Sequence, residues 1–451
     1  MTTTTRLASL DLRAALARLD GDGQLLRVRR EVDPKFELAA VTRRVQLGPN
    51  LPVLFEKVRG TPFRVVSNVY GNYGIVARML GTALSGVAAT WAGLMTELDR
   101  PGLAASPGGG SGGAPVVREV PFAEVPHVTY CEKDAGPYLT ASVVLARDPD
   151  TGVPNLSYHR MEMIDATELR VRLSPAGDLH RMQEKAERRG QALPVAVLLG
   201  SPPAVDLAGA AAIPAGTSEL ALAERIAGRR LPMRRCASVD LDVPAETEMV
   251  VEGEILPGVR RPEGPFGEWQ DYYVPVMNNH VLRVHRVVAR EDAVFHAICS
   301  GSTEELTLSA IPNAALIYRA IRAFDPSVRD VVCYPWPQFC VVQIKKRYEG
   351  QPQKVMLGAM GAETNRLLYC VVVDEDVDIH DLRDVVWAMS TRCRPDRGVM
   401  QIPNVPSFAR DPHQVHWGRL GIEATAPLEW AGEFERKRYP GLDAIRLEDY
   451  L

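Results

Sequence analysis

A chain of 451 residues exceeds what one compact core fills, so two or three domains are expected, with room for a large cleft. Its 46% hydrophobic and 24% charged residues belong to a globular protein rather than a fibrous or disordered one. The net charge of −4 and the lack of any long Lys/Arg block leave no electrostatic footprint for nucleic acid or an anionic membrane, which favours a small-molecule partner.

Residues Met1 to Thr5 are polar and lack the basic-then-apolar order of a secretory signal, so a cytoplasmic location is expected. Residues 10–19 read as an amphipathic helix, 63–69 as a strand and 74–80 as a helix start, which together make an α/β layer. A boundary follows at Pro107–Pro115, a glycine-rich loop. Within it Gly109-Gly110-Ser111-Gly112-Gly113 matches a serine-hydrolase elbow, but the flanking prolines deny it the strand and helix that elbow needs.

From residue 116 to about 300 short β-branched runs recur, at 140–145, 195–199, 249–251 and 281–288, as in an antiparallel sheet or barrel. Two helices interrupt it: residues 180–189, ending at Gly190, and residues 218–227, capped by Ser218 and stopped by Gly228. The apolar stretch 193–216 is broken by Pro202, Pro203, Asp206 and Pro214, too short a run for a membrane span, and reads as a core strand followed by a loop. After Thr303 helix and strand alternate again, with a helix at 313–324 and strands at 330–332, 339–344 and 367–373. The last residues, 436–451, carry Tyr439, Leu442, Ile445, Leu447 and Tyr450 among charges, the pattern of a tail that docks on its own chain or on a partner subunit. Seven scattered cysteines, odd in number and never spaced C-x-x-C, indicate buried thiols rather than disulfides or a zinc cage.

Three groups of residues carry potential chemistry. Glu263-Gly264-Pro265-Phe266-Gly267-Glu268 holds two carboxylates around a sequence that must turn. Taken alone, such acids are more often solvated on a surface turn, and Arg260 and Arg261 could neutralise Glu263 locally. Asn155-Leu156-Ser157-Tyr158-His159-Arg160 gathers an amide, hydroxyls and a guanidinium at the start of a strand, after the turn at residues 148–152. His180 and Glu219 sit at the starts of the two inserted helices, where with Asn155 they would give an N/O-only ligand set suited to Mn²⁺ or Mg²⁺ beside a phosphate. Each also has a plain reading: Glu219 answering the helix dipole and His180 a helix-face histidine.

In chain order these segments resemble the UbiD family of prenylated-FMN-dependent decarboxylases. The resemblance runs through Gly136-Pro137-Tyr138-Leu139-Thr140, Asp148-Pro149 to Arg160, His180, Leu193-Pro194-Val195-Ala196-Val197, Ser218-Glu219, Glu263 to Glu268, and Gly421-Ile422-Glu423-Ala424-Thr425. It implies an α/β (α+β) fold in three parts. These are an N-terminal α/β segment at 1–115, a split β-barrel that binds prenylated FMN at 116–305, and a C-terminal α/β oligomerisation domain with a docking tail at 306–451.

By the same resemblance Asn155, His180 and Glu219 would hold Mn²⁺ (or Mg²⁺) on the cofactor phosphate, with K⁺ alongside. Thr140, Ser157, Tyr158 and His159 would touch the cofactor, and Arg160, Glu263 and Glu268 would form the catalytic network. Glu268 is the expected proton donor, its carboxyl raised by burial, while Arg160 pairs chiefly with Glu263 and the substrate carboxylate.

The implied reaction is reversible, non-oxidative decarboxylation of an α,β-unsaturated acid, with a flavin prenyltransferase supplying the cofactor to a homodimer or larger homo-oligomer. Asn155-Leu156-Ser157 and the His159 that stands where many relatives have tyrosine lean toward the acrylic-acid branch and secondary metabolism. An aromatic, hydroxybenzoate-type substrate and a non-catalytic flavin-binding or carrier protein remain as alternatives. Glu423 replaces a common aspartate, and the bulk of Trp269 beside the donor leaves the substrate open.

Overall fold

The computed structural model describes residues 6–98, 115–214, 216–334, 336–406, 416–441 and 444–450. The Gly109–Gly113 loop lies outside the described residues. The chain divides into two compact units, residues 1–319 with 333–337, and residues 320–332 with 338–451.

The first unit begins with a helix, Leu12–Gly21, capped by the Asp11 side chain on Ala14 N. It presents Leu12, Ala15, Leu16 and Leu19 to the core, the spacing of one apolar helix face. A four-stranded sheet follows, ordered Leu26–Val28, Val53–Phe55, Arg64–Ser67 and Val294–His296. Its last strand arrives from more than two hundred residues downstream and pairs parallel with Arg64–Ser67, so this layer is completed only after the central sheet has been built. The helix read at 74–80 spans Tyr73–Leu80 on an Asn72 cap and packs Ile75, Val76, Met79 and Leu80 into the core.

The central sheet has nine strands and curls into a half-barrel. Its spine is the antiparallel ribbon Met249–Glu263 against Met277–Arg290, much longer than the runs at 249–251 and 281–288 suggested. Charged residues such as Arg260 and Arg261 in its outer half hide that length from a hydrophobicity reading, and register shifts at Glu252/Gly253 and Ile255/Arg260 bend it. Along the main path the sheet ends in Tyr138–Leu139 at one side and Pro154–Tyr158 at the other. The chain crosses between these sides twice, from Leu139 to Val143 and from Tyr158 to Met161. Each crossing is too short to span an open sheet, so the two sides must curl toward each other.

Both inserted helices form, as Asp178–Arg188 and as Glu219–Ala227, the second with the Ser218 side chain capping Leu220 N and Gly228 left-handed at its end. The stretch read as a strand and loop is the strand Leu193–Leu199 followed by a fully buried helix, Pro203–Gly209. Pro203 occupies the first helical position, where a missing N–H is harmless, so the proline pair starts a helix instead of excluding one.

The helix expected from 313 begins ten residues earlier and runs Thr303–Arg322 through Pro312. In the second unit a five-stranded sheet is ordered Val328–Cys333, Phe339–Ile344, Tyr369–Asp374, His416–Ala424 and Val399–Pro406, flanked by the helices Gln351–Ala362 and Leu382–Arg392. The tail folds onto this unit at Arg436, which pairs with Asp384 at 2.7 Å and stacks on Trp387, whereas Tyr439, Ile445 and Tyr450 are exposed. The cysteines are free thiols, five of them buried. No single helix among the described residues is long and apolar enough to cross a membrane.

Candidate active site

Arg160 lies on the second crossing between the sides of the half-barrel, between the strands Pro154–Tyr158 and Met161–Met163. The crossing is tied on both flanks: His159 N donates to Ser142 O at 3.1 Å, and Arg172 N donates to Arg160 O at 3.3 Å. The guanidinium reaches two carboxylates. Its Nε and Nη2 each donate to Glu263 at 2.9 Å, a bidentate pair, and its Nη1 donates to Glu268. Both carboxylates are buried, Glu263 at 1% and Glu268 at 5% exposure.

Glu263 ends the long ribbon strand, and two neutral donors complete its shell: Tyr138 OH at 3.1 Å and Asn279 Nδ2 at 2.6 Å. Burial, then the charges of Glu263 and Glu162, push the Tyr138 phenol far up, so it stays a donor. Arg260 and Arg261 do not neutralise Glu263 as their nearness in sequence suggested. Alternation along the strand puts Arg260 on the face opposite Glu263, where it pairs with Glu187 at 2.8 Å, and Arg261 reaches toward Glu168 at 4.0 Å.

The turn after Glu263 has Gly264 at φ +94°, a cis bond to Pro265, and a small hairpin pairing Phe266–Gly267 with Tyr273–Val274. Phe266 is buried under the guanidinium, 4.9 Å from its ring centre, and against the Tyr138 ring at 4.4 Å. Asp134 pins the hairpin by accepting from Gly267 N at 2.9 Å and Cys131 N at 2.8 Å. Burial holds the Asp134 carboxyl above its usual range despite those bonds and the nearby Arg160 charge. Glu268 is presented on the hairpin's tip, its N–H donating to Tyr272 O at 2.9 Å and its carbonyl accepting from Asp271 N at 3.0 Å. Arg160 thus gives two donors to Glu263 and one to Glu268. One guanidinium therefore engages both carboxylates.

A second constellation lies on the other side of the crossing. Glu219, the first residue of its helix, accepts from Asn155 Nδ2 at 3.0 Å and from Leu156 N at 2.9 Å. Ser157 Oγ donates to Asn155 Oδ1 at 3.1 Å and lies 2.9 Å from His159 Nε2, whose Nδ1 is 2.9 Å from Arg172 O. Burial pushes the Glu219 carboxyl up to about 8, against the pull of the Leu156 N–H, and the charge of Asp178 adds to the rise.

His180, two residues after Asp178, sits edge-on to His280 with ring centres 5.7 Å apart, and its Nε2 is 3.5 Å from Glu184. Its Nδ1 is buried and has no hydrogen-bond partner. The structure therefore brings Asn155 and Glu219 into contact and leaves His180 against His280. Among the described residues no three His, Cys, Asp or Glu side chains converge as a metal site. Of the other expected cofactor contacts, Thr140 Oγ1 is 2.7 Å from Tyr130 OH and accepts from Ile298 N at 3.1 Å. Tyr158 is half-buried, with its hydroxyl enclosed and without a hydrogen-bond partner.

Reading the sequence alone missed Tyr138 and Asn279 as the shell of Glu263. Tyr138 stood in a quoted motif, but Asn279 is recognisable only once the register opposes it to Arg261, two residues from Glu263. Also missed was a buried knot around His296, whose Nε2 is 2.9 Å from Glu304 and whose Nδ1 is 3.5 Å from Asp206. Tyr70 OH donates to Asp206 at 2.8 Å, and Asn68 N and Tyr70 N donate to Glu304 at 2.6 and 3.2 Å.

Comparison with known proteins defines the class first. Family models of the 3-octaprenyl-4-hydroxybenzoate carboxy-lyase match in three successive segments: its N-terminal domain over residues 16–93, its Rift-related domain over 113–303 and its C-terminal domain over 306–424. The chain is 34% identical to the anhydromevalonate phosphate decarboxylase of Methanothermobacter thermautotrophicus, over 92% of this chain and 96% of that one. Among solved structures, the UbiD-class enzyme HmfF from Pelotomaculum thermopropionicum in complex with FMN superposes with a TM-score of 0.89 at 35% identity, covering 98% of this chain and 100% of that one. An evolved dimeric form of HmfF in complex with prFMN gives a TM-score of 0.85 at 34% identity and the same coverage. These matches make the fold that of a carboxy-lyase. The chain belongs to the UbiD family, and it is a decarboxylase of that family.

Proposed function

We propose that the chain decarboxylates an α,β-unsaturated carboxylic acid, non-oxidatively and reversibly, with Glu268 as the proton donor. The observation that carries this reading is the single guanidinium of Arg160 held between buried Glu263 and Glu268. Loss of CO₂ leaves an electron pair on carbon, and prenylated FMN, when bound in the half-barrel, supplies the electron sink. The side chains do the rest. Glu263, braced by Tyr138 and Asn279, fixes the plane of the guanidinium, so that Nη1 faces Glu268 and meets a substrate carboxylate beside it. Glu268 then gives its proton to the vacated carbon and recovers one from water as product leaves.

The residues around Asn155 fit the phosphate end of such a cofactor. Glu219 is a buried carboxylate met only by neutral donors, the setting in which a hard cation restores the ionised form. Asn155 turns its NH₂ toward Glu219, so ligation through Oδ1 needs its amide rotated by half a turn. We assign Asn155, Glu219 and His180 to Mn²⁺ or Mg²⁺, with K⁺ nearby, and Thr140, Ser157, Tyr158 and His159 to the flavin.

The three-part division at 1–115, 116–305 and 306–451, supply by a flavin prenyltransferase and assembly as a homodimer through the last part complete the reading. The archaeal relative is named for anhydromevalonate phosphate, an aliphatic rather than an aromatic acid, which supports an alkenyl substrate. The test is CO₂ release and solvent deuterium exchange by cofactor-loaded protein over a panel of acids. Glu268→Gln is expected to abolish both, and a variant that exchanges deuterium as fast as wild type would remove Glu268 from the mechanism.

A further inference from the structure

Glu263 is braced by Tyr138 and Asn279, whereas Glu268 stands on a turn that needs its own supports. Its hairpin is short, Phe266–Gly267 against Tyr273–Val274. The outer side of that hairpin is bare, with Tyr272, Tyr273, Val276 and Met277 exposed. Its inner side meets two carboxylates, one at each end of the Gly264-Pro265-Phe266-Gly267 run. Buried Glu162 accepts from Gly264 N at 3.0 Å, and half-buried Asp134 accepts from Gly267 N at 2.9 Å. Glycine at both ends permits the approach: Gly264 has φ +94°, and a Cβ on Gly267 would lie 3.1 Å from Cys131 Sγ.

Each tie runs to a segment that already supplies the Arg160 network. Glu162 is two residues beyond Arg160, on the strand that begins there, and stands opposite Tyr138 in the sheet. Asp134 belongs to the loop that leads into Tyr138. Cys131 N donates to its other oxygen at 2.8 Å, Lys133 N donates to Tyr273 OH at 3.2 Å, and Ala135 N donates to Pro265 O at 2.9 Å. The turn is thus fixed to the same two segments that place the guanidinium and the Tyr138 hydroxyl. Burial holds both carboxyls above their usual range; the charge of Glu263 adds to the rise at Glu162, and the glycine N–H groups oppose it at both. Acids kept in such surroundings depend on the donors they meet, and here those include the amides of the turn itself.

We propose that Glu162 and Asp134 are positioning residues for the proton donor: their carboxylates fix the Gly264–Gly267 turn, and through it the Glu268 carboxyl, against Arg160 and the carbon that loses CO₂. The inference rests on the decarboxylase reading with Glu268 as donor and adds two acids that act on that donor through the backbone.

The first arm of the test compares Glu162→Gln and Asp134→Asn, which keep an oxygen for the glycine N–H, with Glu162→Leu and Asp134→Leu, which do not. All are assayed flavin-loaded, on the acid that wild type turns over fastest. In the leucine variants kcat is expected to fall on the order of tenfold to a hundredfold with KM within about twofold, the effect of about an ångström of misplacement at the donor. The amide variants are expected to stay within about fivefold of wild type, the worth of a weakened hydrogen bond. The solvent deuterium isotope effect on kcat should rise in the leucine variants, because proton delivery becomes the slow step. A general loss of structure would instead lower flavin occupancy and leave the isotope effect where it was.

The second arm needs no turnover. Amide hydrogen exchange over residues 264–268, followed by mass spectrometry, is expected to be slow in wild type and faster in the leucine variants, while the ribbon strand Met249–Glu263 keeps its protection. Wild-type kcat and isotope effect in Glu162→Leu and Asp134→Leu would overturn the inference and leave the decarboxylase reading intact. If wild type releases CO₂ from no acid, that reading fails and the exchange arm decides: faster exchange supports the two ties, and unchanged exchange over 264–268 overturns the inference by itself.

Discussion

Replacing His296 by asparagine tests the buried knot that joins the N-terminal sheet to the long helix. His296 is fully buried, and burial alone would lower its pKa, but the carboxylates of Glu304 and Asp206 outweigh that and raise it to about 9. A histidine whose folded pKa lies above its ordinary 6.5 stabilises the fold fully below pH 6.5, and that contribution is lost as pH rises through about 9. At about 1.4 kcal/mol for each pH unit, the rise from 6.5 to about 9 corresponds to about 3 kcal/mol. His296→Asn is therefore expected to be less stable than wild type by about that amount at pH 6, with the gap closing above pH 9. Urea unfolding followed by circular dichroism at pH 6 and pH 9.5 measures both, and subtracting variant from wild type cancels the titrations of groups outside the knot. A gap that does not change with pH, or an imidazole that titrates at or below 6.5 by NMR, would refute the charged-histidine account.

Arg160→Met is expected to strand the Glu263 carboxylate in the core, destabilising the protein by about 3–5 kcal/mol and removing activity, with Arg160→Met/Glu263→Gln recovering part of the stability but none of the turnover. Thermal unfolding and CO₂ release separate the two effects. Because the buried Glu219 carboxyl stands at about 8, metal-free protein is expected to lose stability as pH rises from about 4.5 through 8, where the unfolded chain has released a proton that the fold retains. Mn²⁺ should restore the melting temperature at pH 8 in wild type and not in Glu219→Gln. Gly301→Ala places a Cβ 2.9 Å from Asp271 Oδ1 at a φ of +69°, so it should disturb the turn carrying Glu268 and lower kcat, which steady-state kinetics will show.

What could be read from the sequence divides along the range of the interactions involved. Local signals worked: the Ser218 cap and Gly228 stop delimit their helix, Phe339–Ile344 is the strand its β-branched residues suggested, and Glu263 to Glu268 turns where glycine and proline require it. Signals spread over distant segments did not. Val294–His296 looks like any short apolar strand, and nothing near it reveals that it completes a sheet begun at Leu26 or that its histidine enters a carboxylate cage. The ribbon to Glu263 was undersized because its outer half is charged. Arg260 and Arg261 are natural partners for Glu263 only if nearness in sequence stands in for nearness in space, whereas strand alternation sends Arg260 to the opposite face and Arg261 reaches toward Glu168.

The active-site arginine shows why a short motif can nevertheless define a site. Arg160 is two residues from the nearest strand pairing on one side of the half-barrel and one residue from a strand on the other; Tyr138 comes to the site from the neighbouring strand, and the curling of the sheet brings Asn279 and Glu263 from the two strands of the long ribbon. The sequence around Arg160 encodes the crossing, and the closure of the sheet supplies the partners. A mutation that loosens the curl, such as filling Gly253, whose Cβ would sit 2.3 Å from Arg283 O at the ribbon's bulge, should therefore weaken the hold on Glu263 without touching any group at the site.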